Sequence, residues 1–186
     1  MRTFIAIGLD PAIQKTMADF LRRLRKINSR NVTWVRDEAM HLTLKFLGNV
    51  DESRAAAVKS VLAEITKSVS PFPLALKGTG HFPLNPRSIR VLWIGAFEQP
   101  TLMALQREID FRLQPLGFAA ESAPFHPHLT LGRIKSPGKL NDVLNEMERY
   151  KFSDFGQMTV ATITLFESKL KPTGAEHSVL AEFSLS

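Results

Sequence analysis

The chain contains no cysteine. That removes disulfides, thiolate nucleophiles, redox switches and Cys-based zinc sites together, so any metal would need histidine and carboxylate ligands. Long apolar runs are lacking as well. Residues 4–9 and 91–97 are strand-sized, far short of the roughly 20 that span a bilayer. The opening MRTFIAIGLD has neither an extended apolar segment nor a small-residue cleavage site, and Asp10-Pro11 interrupts it, so a cytoplasmic location away from membranes is expected. Acidic residues are the minority, 18 against 24 Lys plus Arg, which leaves a net charge of +6 and makes polyanions plausible partners. What remains is ordinary globular material, 44% hydrophobic and 23% charged over 186 residues. That length suits one domain or two small, closely packed lobes.

The apolar pattern predicts the same series of elements twice. A strand over 4–9 runs into Asp10-Pro11, a capping residue before a proline, and Ile13, Met17, Phe20, Leu21, Leu24 and Ile27 then form one helical stripe. A brief strand over 32–35, a longer one over 41–47, a helix from Asp51 to Val69 and an alternating strand from Phe72 follow. Beyond the Gly- and Pro-rich stretch 78–88 the order recurs. It comprises a strand over 89–97, a helix from Pro100 to Leu113, a strand over 128–134, a helix opened by Ser136-Pro137, and closing strands over about 156–170 and 177–185. An offset of 87 residues brings Ile5-Ala6-Ile7-Gly8 onto Leu92-Trp93-Ile94-Gly95, and residues 72–80 onto 159–167.

The same offset superposes two identical tetrapeptides, His41-Leu42-Thr43-Leu44 and His128-Leu129-Thr130-Leu131. On a strand, residues i and i+2 share a face, so the leucines can enter a core while His41 with Thr43, and His128 with Thr130, look out from the other side. If a pseudo-twofold brings the strands together, two imidazoles and two hydroxyls meet. One neutral His can take a proton from a nucleophile, an imidazolium can give one to a leaving oxygen, and the hydroxyls can donate to phosphoryl oxygens, with no metal or other cofactor. The pair His126-x-His128 could ligate a metal with His41, but no carboxylate accompanies it.

These motifs, with Trp34-Val35, Lys45-Phe46-Leu47-Gly48, Gly80-His81-Phe82-Pro83, Arg90-Val91-Leu92-Trp93, Gly132-Arg133 and residues 164–168, make the chain resemble the 2H phosphoesterases. Within them it is similar to the RNA 2′,3′-cyclic phosphodiesterases, also called 2′-5′ RNA ligases. The resemblance implies an α+β fold of two lobes, each an antiparallel-dominated sheet with outer helices, enclosing a central cleft. It also implies hydrolysis of an RNA or nucleoside 2′,3′-cyclic phosphate to the 2′-phosphate, with His41 as proton donor, His128 as proton acceptor, and Thr43 and Thr130 clamping the phosphate. Residues 1–186 would form a single catalytic domain of two units, approximately 1–87 and 88–186, and a monomer is expected. The sequence departs from many relatives at His177, where a tyrosine is usual.

Lys45 shares strand parity with Thr43 and is a candidate for the phosphate. Arg133 has the opposite parity to Thr130 and would need a bulge to join it, yet the resemblance makes it a candidate. Trp34 and Phe82 are candidates for stacking a base, whereas Phe46 has the parity of Leu42 and Leu44 and is assigned to the core. Arg90, with Arg87, is placed to contact RNA beyond the reacting phosphate. The basic run Arg22, Arg23, Arg25, Lys26 and Arg30 is either a second RNA contact or a solvated helix face. Two other readings use the same residues: 2′-5′ ligation, and a module that binds RNA or nucleotide 2′-phosphates without turnover.

Overall fold

In a computed structural model describing residues 1–28, 30–136, 138–171 and 174–186, these patterns resolve into nine strands and four α-helices. The strands are β1 (Arg2–Gly8), β2 (Val32–Trp34), β3 (His41–Asn49), β4 (Phe72–Phe82), β5 (Val91–Ala96), β6 (His128–Ile134), β7 (Asp154–Val160), β8 (Thr162–Lys171) and β9 (Gly174–Ser184). The helices are α1 (Pro11–Ile27), α2 (Glu52–Thr66), α3 (Pro100–Leu113) and α4 (Asn141–Arg149). Helix starts follow local chemistry: the Asp10 carboxylate accepts from Ile13 N at 2.7 Å, and Asp51 from Arg54 N at 2.8 Å. No helix among the described residues is long and apolar enough to cross a membrane.

The helix expected from Ser136-Pro137 instead begins at Asn141. Lys139 has φ 53°, a left-handed conformation that a right-handed helix cannot propagate through, and the Ser136 hydroxyl accepts from Asn31 Nδ2 at 2.8 Å. Pro137 lies outside the described residues.

The fold is α+β, and the strands pair antiparallel in the order β7-β4-β5-β6-β3-β1-β8-β9, with β2 beside β6. The two sheets expected from the sequence are the two halves of this order, joined into one sheet at the β6–β3 seam through a single registered pair, Leu42 opposite Leu129. The closing strand expected over 156–170 is two strands. Ala161 separates β7, which pairs with β4, from β8, which pairs with β1, because the chain crosses there from one half of the sheet to the other. Consequently the halves of the sheet do not follow the halves of the sequence: β4 lies between β5 and β7, and β8 lies between β1 and β9. The register of these exchanged strands also differs from that of the rest. Gly80 faces Trp93 and Thr164 faces Ala6, so 84 residues, not 87, relate β4 to β8.

Leu42, Leu44, Leu129 and Leu131 enter one hydrophobic core with Ile5, Ile7, Leu92 and Ile94. The helices pack on that face, as shown by Gln106 Nε2 of α3 donating to Leu44 O and the Thr79 hydroxyl of β4 donating to Met147 O of α4. Each fully buried leucine contributes about 1.5–3 kcal/mol of transfer free energy, which holds strand parity against a one-residue slip.

Candidate active site

The β1–β3 ladder pairs Ala6 with Thr43, Ile7 with Leu42 and Gly8 with His41; the β5–β6 ladder pairs Trp93 with Thr130, Ile94 with Leu129 and Gly95 with His128. Adding 87 to the first set gives the second. Leu42 and Leu129 are themselves 87 apart, so the pseudo-twofold axis passes through the pair that joins the halves. Both motifs are thereby set on one helix-free face. The antiparallel register on either side of that pair puts Thr43 beside His128 and His41 beside Thr130, with Cβ atoms about 5 Å apart across such neighbours.

The imidazoles are held in the same way. His41 Nδ1 lies 2.8 Å from Ala39 O, and His128 Nδ1 lies 2.7 Å from His126 O. A carbonyl can only accept, so Nδ1 carries a proton in each ring and Nε2 is left to exchange one with a substrate. Burial lowers the pKa of His41 to about 4, partly offset by the Ala39 carbonyl and helped by the charge of His177. Burial lowers that of His128 too, again against its carbonyl partner, with Arg133 and His126 adding to the depression.

The walls around the rings are aromatic. Phe4 stacks on His41 at 4.7 Å between centroids and His177 meets it edge-on at 5.3 Å, while Phe82 meets His128 edge-on at 5.1 Å. The place expected for tyrosine thus sets a third imidazole beside His41. Its pKa is lowered by burial and by Arg36, and its Nδ1 is buried without a hydrogen-bond partner among the described residues.

A bulge decides which later residues join this face. In the β1–β3 ladder Ile5 pairs with Lys45 but Ala6 with Thr43, so Leu44 is an extra residue; Leu131 is its counterpart in β6. Parity reverses beyond it. Arg133 therefore does share the face of His128 and Thr130, opposite Val91, and is exposed. Lys45, expected there, is turned into the helix-covered side at 3% exposure, with its ammonium 2.5 Å from Asp110 and donating to Ala119 O at 2.8 Å. Phe46, expected in the core, is the counterpart of Arg133 and is 58% exposed on the open face.

Because Lys45 is a buried charge, removing Asp110, the nearer and more buried of its two carboxylates, should be costly even with Glu121 at 3.7 Å. Asp110→Ala is expected to lower unfolding free energy by about 3 kcal/mol in chemical denaturation, and Lys45→Met added to Asp110→Leu to recover most of the loss. A loss below ~1 kcal/mol for Asp110→Ala would contradict the buried pair.

Trp34 is also corrected. It lies on the helix side against Gly132, where an added Cβ would come within 2.9 Å of its ring, and its indole N–H donates to Asn28 O at 2.6 Å. Phe82 does reach the open face, 5.2 Å from Trp93, whose ring covers Gly80. Arg90 is exposed one residue before β5, where alternation from Val91 directs it away from the histidines, toward the end of the sheet. Phe125 packs against the core. Much of the basic run on α1 is neutralised: Arg22 and Arg25 pair with Asp37, and Arg23 with Glu146.

Phe4, Trp93 and Phe166 lie in segments that carry the family resemblance, but were given no role at the site from the sequence. The signal was present in that each has the parity of an open-face residue. Two cavities of about 390 and 430 Å³ lie elsewhere, one lined by Lys45 and Arg54, the other by Phe97 and Phe152. Among the described residues no three His, Asp or Glu side chains are grouped to hold a metal.

Comparison with known proteins gives concordant matches. A family model described as LigT like Phosphoesterase matches residues 7–93 and 96–175. An RNA 2′,3′-cyclic phosphodiesterase of Methanocaldococcus jannaschii is 36% identical over 183 residues, covering 98% of this chain and 100% of its own. One from Methanothermobacter thermautotrophicus is 32% identical over 188 residues, covering 100% and 99%. Among solved structures, TT0787 of Thermus thermophilus superposes with a TM-score of 0.84 at 28% identity, covering 100% of this chain and 98% of that one.

Proposed function

The chain belongs to the LigT-like phosphoesterase family, and from that premise we propose that it hydrolyses RNA or nucleoside 2′,3′-cyclic phosphates to 2′-phosphates, as a cytoplasmic monomer. The observation that carries this reading is the matched presentation of two Nε2 atoms, each ring anchored through Nδ1, beside two threonine hydroxyls on one open face.

His128 Nε2 accepts a proton from water as the water oxygen bonds to phosphorus. The P–O3′ bond breaks in line, and His41 delivers its Nε2 proton to O3′, leaving a 2′-phosphate and a 3′-hydroxyl. Donor and acceptor follow the family resemblance, since the pseudo-twofold places either imidazole where it could take either role. Thr43 and Thr130 donate to the non-bridging oxygens, Arg133 adds positive charge at the same face, and Phe82 offers a ring to the nucleoside. The units of approximately 1–87 and 88–186 each supply one His and one Thr, and each lends a closing strand to the other, so neither would form the site alone.

The pH dependence follows from the depressed histidines. In the free protein both lose their protons below the ordinary value of 6.5, His41 at about 4. One imidazolium and one neutral ring coexist only in that acidic range, so kcat/KM for a 2′,3′-cyclic nucleotide, measured in EDTA, should peak below pH 6.5 and fall as pH rises. A bound phosphate anion favours imidazolium, so the kcat profile should be displaced to higher pH. Absence of 2′-phosphate product in EDTA would overturn the assignment; a kcat/KM optimum above pH 7 would overturn the protonation scheme.

The open face favours one further reading, because it leaves room for a second strand. An RNA 5′-hydroxyl replacing water as nucleophile would give a 2′-5′ linkage, and supplying such an RNA and looking for joined product separates ligation from hydrolysis.

A further inference from the structure

Residues 20–36, 65–97 and 122–141 contain no Asp or Glu. The fold brings these stretches together at one end of the sheet. Lys135 N donates to Asn31 O at 2.8 Å, Ile134 N to Arg90 O at 2.9 Å, and Arg90 N to Phe82 O at 2.7 Å. Arg30, Arg87, Arg90, Arg133 and Lys135 are gathered there, and all five are exposed. The ion pairs formed among the described residues leave every one of them free. The α1 cations, by contrast, are largely committed to Asp19, Asp37 and Glu146.

The pseudo-twofold supplies an internal control. Offset by 87, Arg133 corresponds to Phe46, Lys135 to Gly48 and Arg90 to Thr3, so these three cations have no counterpart at the opposite end, where Arg2 is the exposed cation. Phe46 and Val179, at 58% and 54% exposure, make that end largely apolar beside Arg2. A nearly symmetric site with one cationic and one apolar end gives a bound polyanion a direction. The cationic end begins at Arg133, five residues along β6 and about 16 Å of backbone from His128 at ~3.3 Å per residue; Arg133 reaches back far enough for its charge to act on His128, and Lys135 carries the charge further from the site.

We infer that this end of the sheet is a track for the sugar-phosphate backbone of single-stranded RNA leading into the site, so that the preferred substrate is an oligoribonucleotide end. The inference rests on the proposed function for what happens at the histidines, but the track is tested separately. Each phosphate contact releases counterions, and for a single strand lowers the slope of log K against log salt by about 0.7.

The test compares the wild type with the triple variant Arg30→Gln, Arg87→Gln, Lys135→Gln. Binding of an oligoribonucleotide of about ten nucleotides ending in a 2′-phosphate is measured by fluorescence anisotropy across salt concentrations, and turnover is measured on a 2′,3′-cyclic mononucleotide. Expected is a loss of oligonucleotide affinity of tenfold or more at low salt, a slope shallower by about 2, and unchanged mononucleotide turnover. Wild-type affinity and slope in the variant would overturn the track. So would equal wild-type affinity for RNA duplex and single strand. If the wild type turns over no cyclic phosphate yet binds the oligonucleotide with this charge dependence, the proposed reaction fails and the track stands.

Discussion

Replacing His128 with alanine is expected to lower kcat for a 2′,3′-cyclic nucleotide by about 10²–10⁴, and His41→Ala by a similar factor. Each change removes the one group placed to move a proton at its end of the in-line path, and no neighbour can substitute. His126 is exposed and points its Nδ1 toward Glu98 at 3.7 Å, and His177, although 5.3 Å from His41, meets that ring edge-on and lacks a backbone anchor for its own Nδ1. The double variant should be little worse than either single one, since attack and departure belong to one displacement. Folding should survive, because both rings are half-buried on the open face and their truncation opens space to water, whereas Leu42 and Leu129 keep the core. An unchanged denaturation midpoint accompanying the loss of turnover identifies the effect as chemical. Near-full activity in either single variant would refute the two-histidine mechanism.

The candidate site was legible in the sequence because the chemistry proposed for it is carried by period-two spacing within one strand, and the core leucines that enforce that spacing sit inside the motif itself. His41, Thr43, His128 and Thr130 therefore fall on the face that alternation assigns to them. Alternation fails one residue later. The extra residue at Leu44 and at Leu131 reverses parity, which buries Lys45, exposes Phe46 and brings Arg133 to the face. Nothing in the string of residue types announces that bulge. Its trace is indirect: Gly132 is the counterpart of Lys45 and has no room for a side chain, because Val32 and Trp34 lie within 3 Å of where a Cβ would be. Trp34 could not be assigned from its own segment for the same reason, since its neighbour comes from a strand about 100 residues away. The repeat itself was visible as an offset of 87, but the exchange of β4 and β8 between the halves depends on long-range pairing that no local pattern encodes.

The largest remaining effect is expected at the threonines. Thr43→Val and Thr130→Val should each lower kcat by about 10²–10³, the range found when one preorganised donor to a developing oxyanion is removed. Valine keeps the shape and β-branching of threonine, so the strand and the Leu42–Leu129 seam are preserved, and only the hydroxyl is lost. The crosswise register gives the two positions different neighbours: Thr43 lies beside His128 and Thr130 beside His41. Each hydroxyl therefore donates next to the imidazole of the other motif, and a single deletion leaves the phosphate clamped at one end alone. Charge on the non-bridging oxygens rises as phosphorus becomes five-coordinate, so the loss should fall mainly on kcat, with KM changing little. Thr43→Ser and Thr130→Ser, which retain the donor, should recover most of the rate. If the valine variants raise KM while leaving kcat intact, the hydroxyls bind the phosphate uniformly and contribute nothing specific to the transition state.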